Sequence, residues 1–501
     1  MAIIGIDLGT TNSLVAQLDT TGTPQIIHNK EGMNITPSFI WFEDSTKKNV
    51  KIGIEAKNNF QQEENIYNSF KTFMGSKTRY PFFNSNISPT DLSALILQKL
   101  KQDFEDIVGE AECVVITVPA NFRNEAREAT LAAAKVAGLK TDLLLNEPTA
   151  AALYYAYKEG KDLDGTYVIF DLGGGTLDVS VIKGKGMDIE LLATQGVNRL
   201  GGDDFDAKII ELISNKFEEK FNKKFKPDLY NFTKNDAEEV KKALTTLDEK
   251  KVTLVGSDIP KTSFIITREE YEESISSFVV QAEMLCDSVL AEAKLKKEDI
   301  TEVILAGGSS RTPIFQRSLK RVFGKKPIVF GNPDETIALG AAIYAGYKAN
   351  KEILKPAQKK TVSAMKFQEI APAYFGYISL DNDNKDFNSI IIKKNAKIPC
   401  SQTVPFYTVH DNQIIVNLTI TQSPNAETDP KFVRAIWNGK LDLPPNRPKG
   451  MEVKVTYSYQ ENGVMRAEFI DTESNKKIEV DITAQSEGAK TTIDINDFIV
   501  E

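Results

Sequence analysis

The sequence has few of the side chains on which metal centres and nucleophilic enzymes usually depend. Only two histidines, His28 and His410, and three cysteines occur among its 501 residues. So few histidines exclude a histidine-rich metal site and argue against a Ser-His-Asp triad. The cysteines, Cys113, Cys286 and Cys400, are too far apart for a disulfide framework or a zinc pattern, which suits a reducing cytoplasm. Any chemistry must therefore use carboxylates, lysine, hydroxyls and backbone amides.

The chain also lacks an excess of positive charge and any long apolar run. It has 61 Lys and Arg against 70 Asp and Glu, a net charge of -9, which argues against a nucleic-acid partner. No run of about 18 apolar residues occurs, so we expect no membrane span. Asp7 interrupts the first apolar segment and no basic segment precedes it, so we expect no signal peptide. These absences predict a cytoplasmic protein.

The pattern of apolar residues divides the chain into three parts. Residues 1–350 alternate short apolar runs with helical patterns, which predicts an α/β domain. Residues 351–369 lose the apolar periodicity and gain lysine, which is typical of a linker. Residues 370–501 contain alternating runs such as MEVKVTYSY with turn signals between them, which predicts an antiparallel all-β domain.

An internal repeat in the first part indicates a phosphate site. The segments IIGIDLGTTNSLVA (3–16) and YVIFDLGGGTLDVSVI (167–182) share an apolar run, Asp-Leu-Gly, a Gly/Thr pair and a second apolar strand. This predicts a duplicated fold with a cleft between the halves. Asp7 and Asp171 would face phosphates bound by the backbone amides of the turns, an arrangement that normally requires Mg²⁺ held through water. The alternative, two tight hairpins with Asp as turn former, explains one hairpin better than a matched pair.

A helix predicted over NDAEEVKKALTTL (235–247) presents two different faces. Asn235 and Glu238 resemble a capping box at its start. A polar stripe and an apolar stripe run along it: Glu238, Lys241 and Thr245 on one side, and Ala237, Val240, Leu244 and Leu247 on the other. The polar stripe is either a ligand-binding face or an ordinary exposed face with salt bridges.

Seven motifs occur in the order found in one family. They are IDLGTTNS (6–13), VPANFRNEARE (118–128), NEPTAAALYY (146–155), FDLGGGTLDVS (170–180), LGGDDFD (200–206), AGGSSRTP (306–313) and NPDETIALGAA (332–342). The chain thereby resembles the DnaK-type Hsp70 chaperone family, and KNAKIP (394–399) and TVHDNQ (408–413) extend the resemblance into the β-domain. The resemblance implies an actin-like, duplicated ribonuclease-H-like ATPase domain followed by a β-sandwich that binds peptides.

The same resemblance assigns a nucleotide site for ATP or ADP with Mg²⁺, and allows K⁺. Asp7 and Asp171 would hold Mg²⁺ through water. The residues implied in catalysis are Lys71, which would hold the attacking water, and Asp171, Glu147, Thr176 and Asp178, which would orient the water or the ion. The implied nucleotide contacts are Asp7, Gly9, Thr10, Thr11, Asn12, Gly173, Gly174, Gly175, Gly201, Gly202, Glu238, Lys241, Lys242, Thr245, Gly307, Gly308, Ser309, Arg311 and Asp334.

Two further sets of residues follow from the resemblance. A relay from the nucleotide to the β-domain would use Pro119, Arg127 and Glu369, the alternative being a strand-ending proline and a surface arginine. A peptide cleft would use five apolar residues, with the ordinary core of a sandwich as the alternative. These are Val416 and Leu418 in the floor, Phe406 in the wall, and Leu380 and Val409 in an arch over the peptide.

The sequence departs from the family pattern in four places. Leu143 stands where the family has an arginine that contacts J-domain co-chaperones. No long helical pattern follows Val480, so we expect no helical lid. The segment 80–90 is short, so a β-hairpin of the small lobe should be missing. The linker sequence MKFQE (365–369) contains Lys366 and Gln368, which we expect to oppose docking of the linker.

The function that the resemblance implies is a lid-less, ATP-dependent chaperone of the heat-shock and stress-response type. It would bind extended polypeptide segments and assist protein folding. A J-domain protein and a nucleotide exchange factor are partners that the resemblance allows. The alternative is a regulatory or co-chaperone member with weak or dispensable ATPase activity. A small-molecule kinase is disfavoured because it leaves the β-domain unexplained.

Overall fold

The structure is a computed structural model that describes most of the chain. The described residues are 2–43, 49–60, 63–83, 85–141, 143–160, 163–186, 188–363, 366–381, 383, 385–460, 465–482, 491 and 498–500. The prediction that no helical lid follows the β-domain concerns residues 483–497, which lie almost entirely outside the described residues.

The first lobe is a mixed sheet with helices, and a smaller set of strands above it. Its main sheet has the order β11-β10-β1-β2-β3, with β4 paired to β2. The elements are β1 (Ala2–Asp7), β2 (Asn12–Leu18), β3 (Pro24–Ile27), β4 (Thr36–Pro37), β5 (Ile40–Phe42), β6 (Asn49–Ile52), α1 (Ile54–Asn58), β7 (Ile66–Tyr67), β8 (Tyr80–Phe82), β9 (Ser85–Ile87), α2 (Pro89–Ile107), β10 (Ala111–Val118), α3 (Asn124–Val136), β11 (Leu143–Asn146) and α4 (Glu147–Glu159).

The second lobe repeats the topology of the first. Its elements are β12 (Leu163–Leu172), β13 (Thr176–Gly186), β14 (Asp188–Asn198), α5 (Gly202–Phe221), α6 (Lys234–Ala243), β15 (Glu249–Gly256), β16 (Ile259–Thr267), α7 (Arg268–Ser274), α8 (Ser276–Ala293), β17 (Glu302–Ala306) and α9 (Pro313–Phe323). Two helices that follow in the chain, α10 (Thr336–Lys348) and α11 (Pro356–Val362), return to the first lobe. Strand β12 is antiparallel to β13 and parallel to β17, as β1 is antiparallel to β2 and parallel to β10. The two Asp-Leu-Gly segments thus end equivalent strands of two similar sheets.

Helices α4 and α10 join the two lobes in one apolar core. Their alanines pack with residues of both main sheets. The helices approach so closely that a Cβ added at Gly340 would lie 1.8 Å from the carbonyl oxygen of Ala150. Glycine is therefore required at this crossing because the obstacle is backbone, which cannot rotate away.

Replacing Gly340 with alanine should destabilise the first domain strongly. We expect a loss of about 1–3 kcal/mol in the free energy of unfolding, since the helices must separate. Gly346→Ala in the same helix is the matched control, because its Cβ would meet the flexible end of the Leu18 side chain at 2.4 Å. Thermal melts of both variants decide the matter, and equal losses in the two would contradict the close crossing.

The β-domain is a sandwich of two antiparallel four-stranded sheets. Their orders are β20-β19-β23-β24 and β22-β25-β26-β27, and residues of both sheets form one core. The strands of this part of the chain are β18 (Lys366–Ile370), β19 (Tyr374–Leu380), β20 (Asp386–Ile392), β21 (Lys397–Ile398), β22 (Cys400–Tyr407), β23 (Ile415–Ser423), β24 (Arg434–Asp442), β25 (Glu452–Tyr459), β26 (Met465–Asp471), β27 (Lys477–Asp481) and β28 (Ile499–Val500). The alternating pattern of the sequence reflects one face of each strand turned into this core.

The linker predicted over 351–369 is shorter in the structure. Residues 356–362 form α11, which packs on the first lobe, because Gln358 donates to the Leu18 carbonyl at 2.9 Å and Val362 enters the core. Residues 366–370 form β18, which pairs in parallel with β14 and extends the second main sheet. The lysine-rich composition of this segment marks exposed positions on an ordered helix.

The short segment 80–90 differs from the prediction as well. Strands β8 and β9 pair over Tyr80–Phe82 and Ser85–Ile87, so a small hairpin is present where we expected none.

Among the described residues, no single helix has the length and hydropathy of a membrane span. Helices α7 and α8 meet that test only when taken together, across a bend of 57°.

Candidate functional site

The two repeated turns meet at the bottom of the cleft between the lobes. A Cβ added at Gly174 would lie 2.0 Å from Thr11 Oγ1, and one at Gly175 would lie 2.7 Å from Thr10 Cγ2. The amide of Gly173 donates to the Thr176 carbonyl at 3.1 Å, which closes the second turn. The small residues of each turn are therefore needed for close contact with the other turn.

A lysine and several carboxylates are buried beside these turns. Lys71, from a 3₁₀ helix over Phe70–Phe73, donates to Glu147 Oε1 at 2.7 Å. Asp7, Lys71, Glu147 and Asp171 line one cavity of ≈ 80 Å³ together with Gly9, Thr10, Thr11, Asn12, Gly173, Gly174, Thr176 and Gly307. Asp178 lies directly across the β-ladder from Asp171. The structure thus brings all five predicted catalytic residues together.

The charges of this cluster do not balance. Burial raises the pKa of Asp7 to about 7, and the nearby Glu147 charge adds to the effect. Burial and the neighbouring carboxylates raise the pKa of Asp171 well above its usual range, and burial and Glu147 do the same for Asp178. Burial lowers the pKa of Lys71, but Glu147 and the two aspartates Asp7 and Asp171 outweigh it and raise that pKa overall. Four carboxylates therefore share one ammonium group, an arrangement that favours a further cation.

The residues present fit Mg²⁺ held through water. Within the described part of the chain, no group of three or more His, Cys, Asp and Glu side chains could bind a metal directly. Asp7 and Asp171 instead line a common cavity, in which burial and then the neighbouring carboxylates raise the pKa of each aspartate. Mg²⁺ keeps several of its waters and usually needs only one or two carboxylates plus phosphates.

Gly201 and Gly202 lie behind the second turn at the start of α5. The amide of Gly202 donates to the Gly173 carbonyl at 3.0 Å, and that of Asp203 donates to the Gly174 carbonyl at 2.7 Å. A Cβ at Gly201 would lie 2.5 Å from the Gly174 backbone. These residues position the turn, and Gly202 also lines the larger cavity described next.

A second cavity of ≈ 760 Å³ opens from the first. Both cavities share Thr11, Gly174, Gly308 and Asp334 in their lining, so they form one continuous cleft. The lining of the larger cavity contains thirteen of the predicted nucleotide contacts: Thr11, Asn12, Gly173, Gly174, Gly202, Glu238, Lys241, Lys242, Thr245, Gly308, Ser309, Arg311 and Asp334. Its volume and its position above the carboxylate cluster suit the adenosine part of a nucleotide.

The helix with the polar stripe begins earlier than predicted. Thr233 caps α6 and forms a capping box with Asp236, so Asn235 and Glu238 do not form one. Thr245 lies beyond the last residue of the helix, and Leu247 is 50% exposed because the apolar stripe ends at Leu244. The predicted capping box and the predicted helix end were both wrong, because the ends of a helix cannot be placed from sequence to within one or two residues.

The sequence did not reveal two residues that the first lobe contributes to the large cavity, Lys57 and Asn34. Lys57 Nζ donates to Glu238 Oε2 at 2.6 Å. Burial alone would raise the pKa of Glu238, but the charges of Lys57, Lys242 and Lys241 outweigh burial and lower that pKa to about 2. Asn34 also reaches across the cleft, donating to Glu335 Oε1 at 2.8 Å. Neither residue lies in a motif, so only the fold could identify them.

The predicted relay residues form a hydrogen-bonded chain that has one additional member. Arg127 donates to Asn146 Oδ1 at 2.6 Å, and Asn146 in turn donates to the buried carboxylate of Glu369. Arg127 also donates to the carbonyls of Ala120 and Phe122, in the loop that Pro119 begins. Because Asn146 directly precedes Glu147, the chain connects the carboxylate cluster with the strand that leads into the β-domain.

The linker is docked in spite of its polar residues. Phe367 packs between Tyr344 and Tyr347, with ring centroids 5.3 and 4.8 Å apart. The side-chain amide of Gln368 donates to the Ile398 carbonyl at 2.8 Å, so its burial is compensated. The expectation that polar residues oppose docking is therefore wrong for Gln368, and the Lys366 side chain lies outside the described residues.

Ion pairs connect the β-domain with both lobes. Arg434 pairs with Glu125 of the first lobe at 3.3 Å, and Lys394 pairs with Glu292 of the second at 2.8 Å. Together with β18 these contacts hold the sandwich against the first domain. The structure is therefore that of a docked conformation.

The predicted peptide-binding residues are less well grouped. Leu418 is fully buried in the core of the sandwich, so its assignment to a pocket floor is wrong. Val416 and Phe406 are partly buried against that core, and Leu380 and Val409 are 40% and 37% exposed. Alternating strand residues gave no means of separating the wall of a cleft from ordinary core.

A comparison with protein families agrees with this architecture. The sequence model of the family described as "Hsp70 protein" matches residues 3–88 and 79–497, nearly the whole chain. Members of this family are chaperones that bind ATP or ADP with Mg²⁺. The cleft, the carboxylate cluster and this match together show that the chain belongs to the Hsp70 family.

Proposed function

We propose that this protein is an ATP-dependent chaperone that hydrolyses ATP between its two lobes and binds extended apolar segments with its β-domain. The observation that supports it best is the Lys71–Glu147 pair, buried among Asp7, Asp171 and Asp178 beside a cavity large enough to hold adenosine. Phosphoryl transfer requires positioning and electrostatic stabilisation more than covalent help, and these residues offer both.

Each residue of the cluster has a role that its position supports. Lys71 would hold the attacking water and neutralise charge that develops on the γ-phosphate. Glu147 fixes the ammonium group of Lys71, while Thr176 and Asp178 would orient the water. Mg²⁺, when bound, supplies charge neutralisation for the phosphate oxygens. Asp7 is oriented by Thr117, whose hydroxyl donates to it at 2.9 Å.

The β-domain would respond to the nucleotide through the hydrogen-bonded chain from Arg127 to Glu369. A change at Glu147 moves the start of α4, to which Asn146 is directly joined. Loss of the Asn146–Glu369 hydrogen bond would release β18 from the second main sheet. The function of hydrolysis would therefore be to free the sandwich from its docked position.

A regulatory member with dispensable ATPase activity is the second candidate. The poor grouping of the predicted peptide-binding residues favours it, because Leu418 belongs to the core of the sandwich and does not face a cleft. The two candidates differ in the fate of a single bound ATP molecule. The proposal predicts conversion of labelled ATP to ADP and phosphate in a single-turnover experiment with Mg²⁺, and none when Mg²⁺ is chelated. Retention of intact ATP by the properly folded protein would favour the regulatory candidate.

Peptide release should be fast in every nucleotide state. Of the described residues, we expect Leu380 at the end of β19 and Val409 after β22 to cover a bound segment, and affinity differences among related complexes lie mostly in the off-rate. Stopped-flow release of a fluorescent apolar peptide from the ADP-bound protein measures this rate. Release over minutes would contradict the prediction, and no binding at all would favour the regulatory candidate.

A further inference from the structure

The small upper sheet of the first lobe contains a strand from the far end of the sequence. Its order is β28-β6-β5-β7, and β28 pairs in parallel with β6 through Ile499 opposite Asn49 and Val500 opposite Val50. Residues 452–481 belong to the β-domain, yet residues 498–500 complete a sheet in the first lobe. Without β28, strand β6 would present an open edge that can pair with another strand.

Buried side chains hold β28 in place, in addition to its backbone pairing with β6. Phe498 and Val500 are buried within the apolar core of the first lobe, at 8% and 9% exposure. The Phe498 ring lies edge-on to Phe42 and Phe82, at centroid distances of 5.6 and 6.2 Å. Phe82 belongs to β8, so residues 498–500 pack beside the short segment 80–90.

Strand β6 leads directly to the nucleotide cleft. It is followed by Gly53 and by α1, a helix of only five residues. From α1, Lys57 reaches across the cleft to Glu238, and Asn235 of the opposite lobe donates to the Lys57 carbonyl at 3.2 Å. Because α1 is too short to hold itself in place, its position depends on β6 and on the sheet to which β6 belongs.

We propose that residues 498–500 are an intramolecular ligand of the first lobe, which pairs with β6, holds Lys57 against Glu238 and thereby slows nucleotide release. This proposal rests on the proposed function insofar as it concerns nucleotide. The recognition is β-strand addition, in which main-chain hydrogen bonds give affinity and alternate side chains enter apolar pockets.

The occupant of the β6 edge is the same chain and not a second copy. Residues 482 and 498 are joined by only 15 intervening residues, which at roughly 3.3–3.6 Å per residue allow a separation of at most about 50 Å. A short covalent connection gives the strand an effective concentration of the order of millimolar toward the β6 edge. Pairing within one chain therefore outcompetes pairing between chains at ordinary protein concentrations.

Phe498→Asp in the full chain tests the proposal by two readouts. Hydrogen exchange of the amides in 49–52 should become at least about tenfold faster, because β6 loses its outer partner. Release of fluorescent ADP in stopped flow should become about tenfold faster, which is within the usual range of coupling between sites. Phe432→Asp, an aromatic of the β-domain that is 70% exposed, is the matched control and should change neither.

The outcomes separate the parts of the proposal. Unchanged exchange in 49–52 would overturn it, and faster exchange with unchanged ADP release would overturn the link to the cleft. Failure to bind ADP in the wild type would contradict the proposed function, while the exchange of 49–52 still decides the strand pairing. A dimer of the wild type that becomes monomeric in Phe498→Asp would show pairing between chains and overturn the intramolecular occupant. Should Phe498→Asp not fold, the milder Val500→Gly decides between the same outcomes.

Discussion

Replacing Lys71 with alanine should slow single-turnover hydrolysis of ATP by about 10²–10³, because one preorganised electrostatic partner of the transition state is lost. The binding of ATP should change little, since the adenosine cavity lies apart from Lys71. Lys71→Met keeps most of the length of the side chain but removes its charge, and it should show the same loss. Rates from quenched flow and affinities from calorimetry separate the two effects.

The experiment needs a control for the removal of a buried lysine. Lys99 is also buried and is paired with Asp103 at 2.9 Å, but it lies outside the cleft. Lys99→Met should lower the melting temperature without lowering the hydrolysis rate per folded molecule. A wild-type rate in Lys71→Met would remove Lys71 from the mechanism, and an equal loss in Lys99→Met would assign the effect to stability.

Replacing Asp171 with asparagine should have opposite effects on activity and on stability. Hydrolysis should fall by about 10²–10³, because Asp171 is one of two carboxylates placed to hold the waters of Mg²⁺. The nucleotide-free protein should become more stable, because a charge conflict in the active site is relieved, by about 0.5–2 kcal/mol, the common range for a single stabilising substitution. The conflict is the one that raises the pKa of Asp171, through burial and then through Glu147, Asp178 and Asp7.

Asp471 provides the matched control for this variant. It is fully buried, but two hydrogen bonds from Arg447, at 2.7 and 2.8 Å, hold its pKa below the usual range. Asp471→Asn should therefore destabilise the protein, since it breaks a bidentate pair. Thermal melts without nucleotide or Mg²⁺ compare the variants, and a loss of stability in Asp171→Asn would contradict the charge conflict.

The parts of the cleft built from local motifs were predictable from the sequence. The geometry of each Asp-Leu-Gly turn is determined locally, because a strand, a carboxylate and small residues lie within a few positions of one another. The structure brings them together as expected, with Asp7, Thr11, Gly174 and Asp171 lining one cavity. Duplication of the motif also predicted the duplication of the sheets.

Contacts between distant segments were not predictable. Lys57 and Asn34 reach the opposite lobe from segments without a motif, and only the closed arrangement of the lobes brings them to Glu238 and Glu335. The lysine-rich composition of 351–363 did not predict α11, because lysine indicates that a segment is exposed but does not indicate whether it is ordered. The strand over 498–500 pairs with residues roughly 450 positions away, a separation at which no pattern in one segment indicates its partner.

The central claim, that the nucleotide controls docking of the β-domain, is tested most directly by hydrogen exchange of the linker strand β18. We expect the Lys71→Met variant to hold ATP while hydrolysing it about 10²–10³ more slowly, and the same variant loaded with ADP supplies the comparison. We expect the amides of 366–370 to be protected with ATP, and to exchange at least about tenfold faster with ADP as β18 leaves β14. Equal protection of these amides in the two nucleotide states would contradict the account.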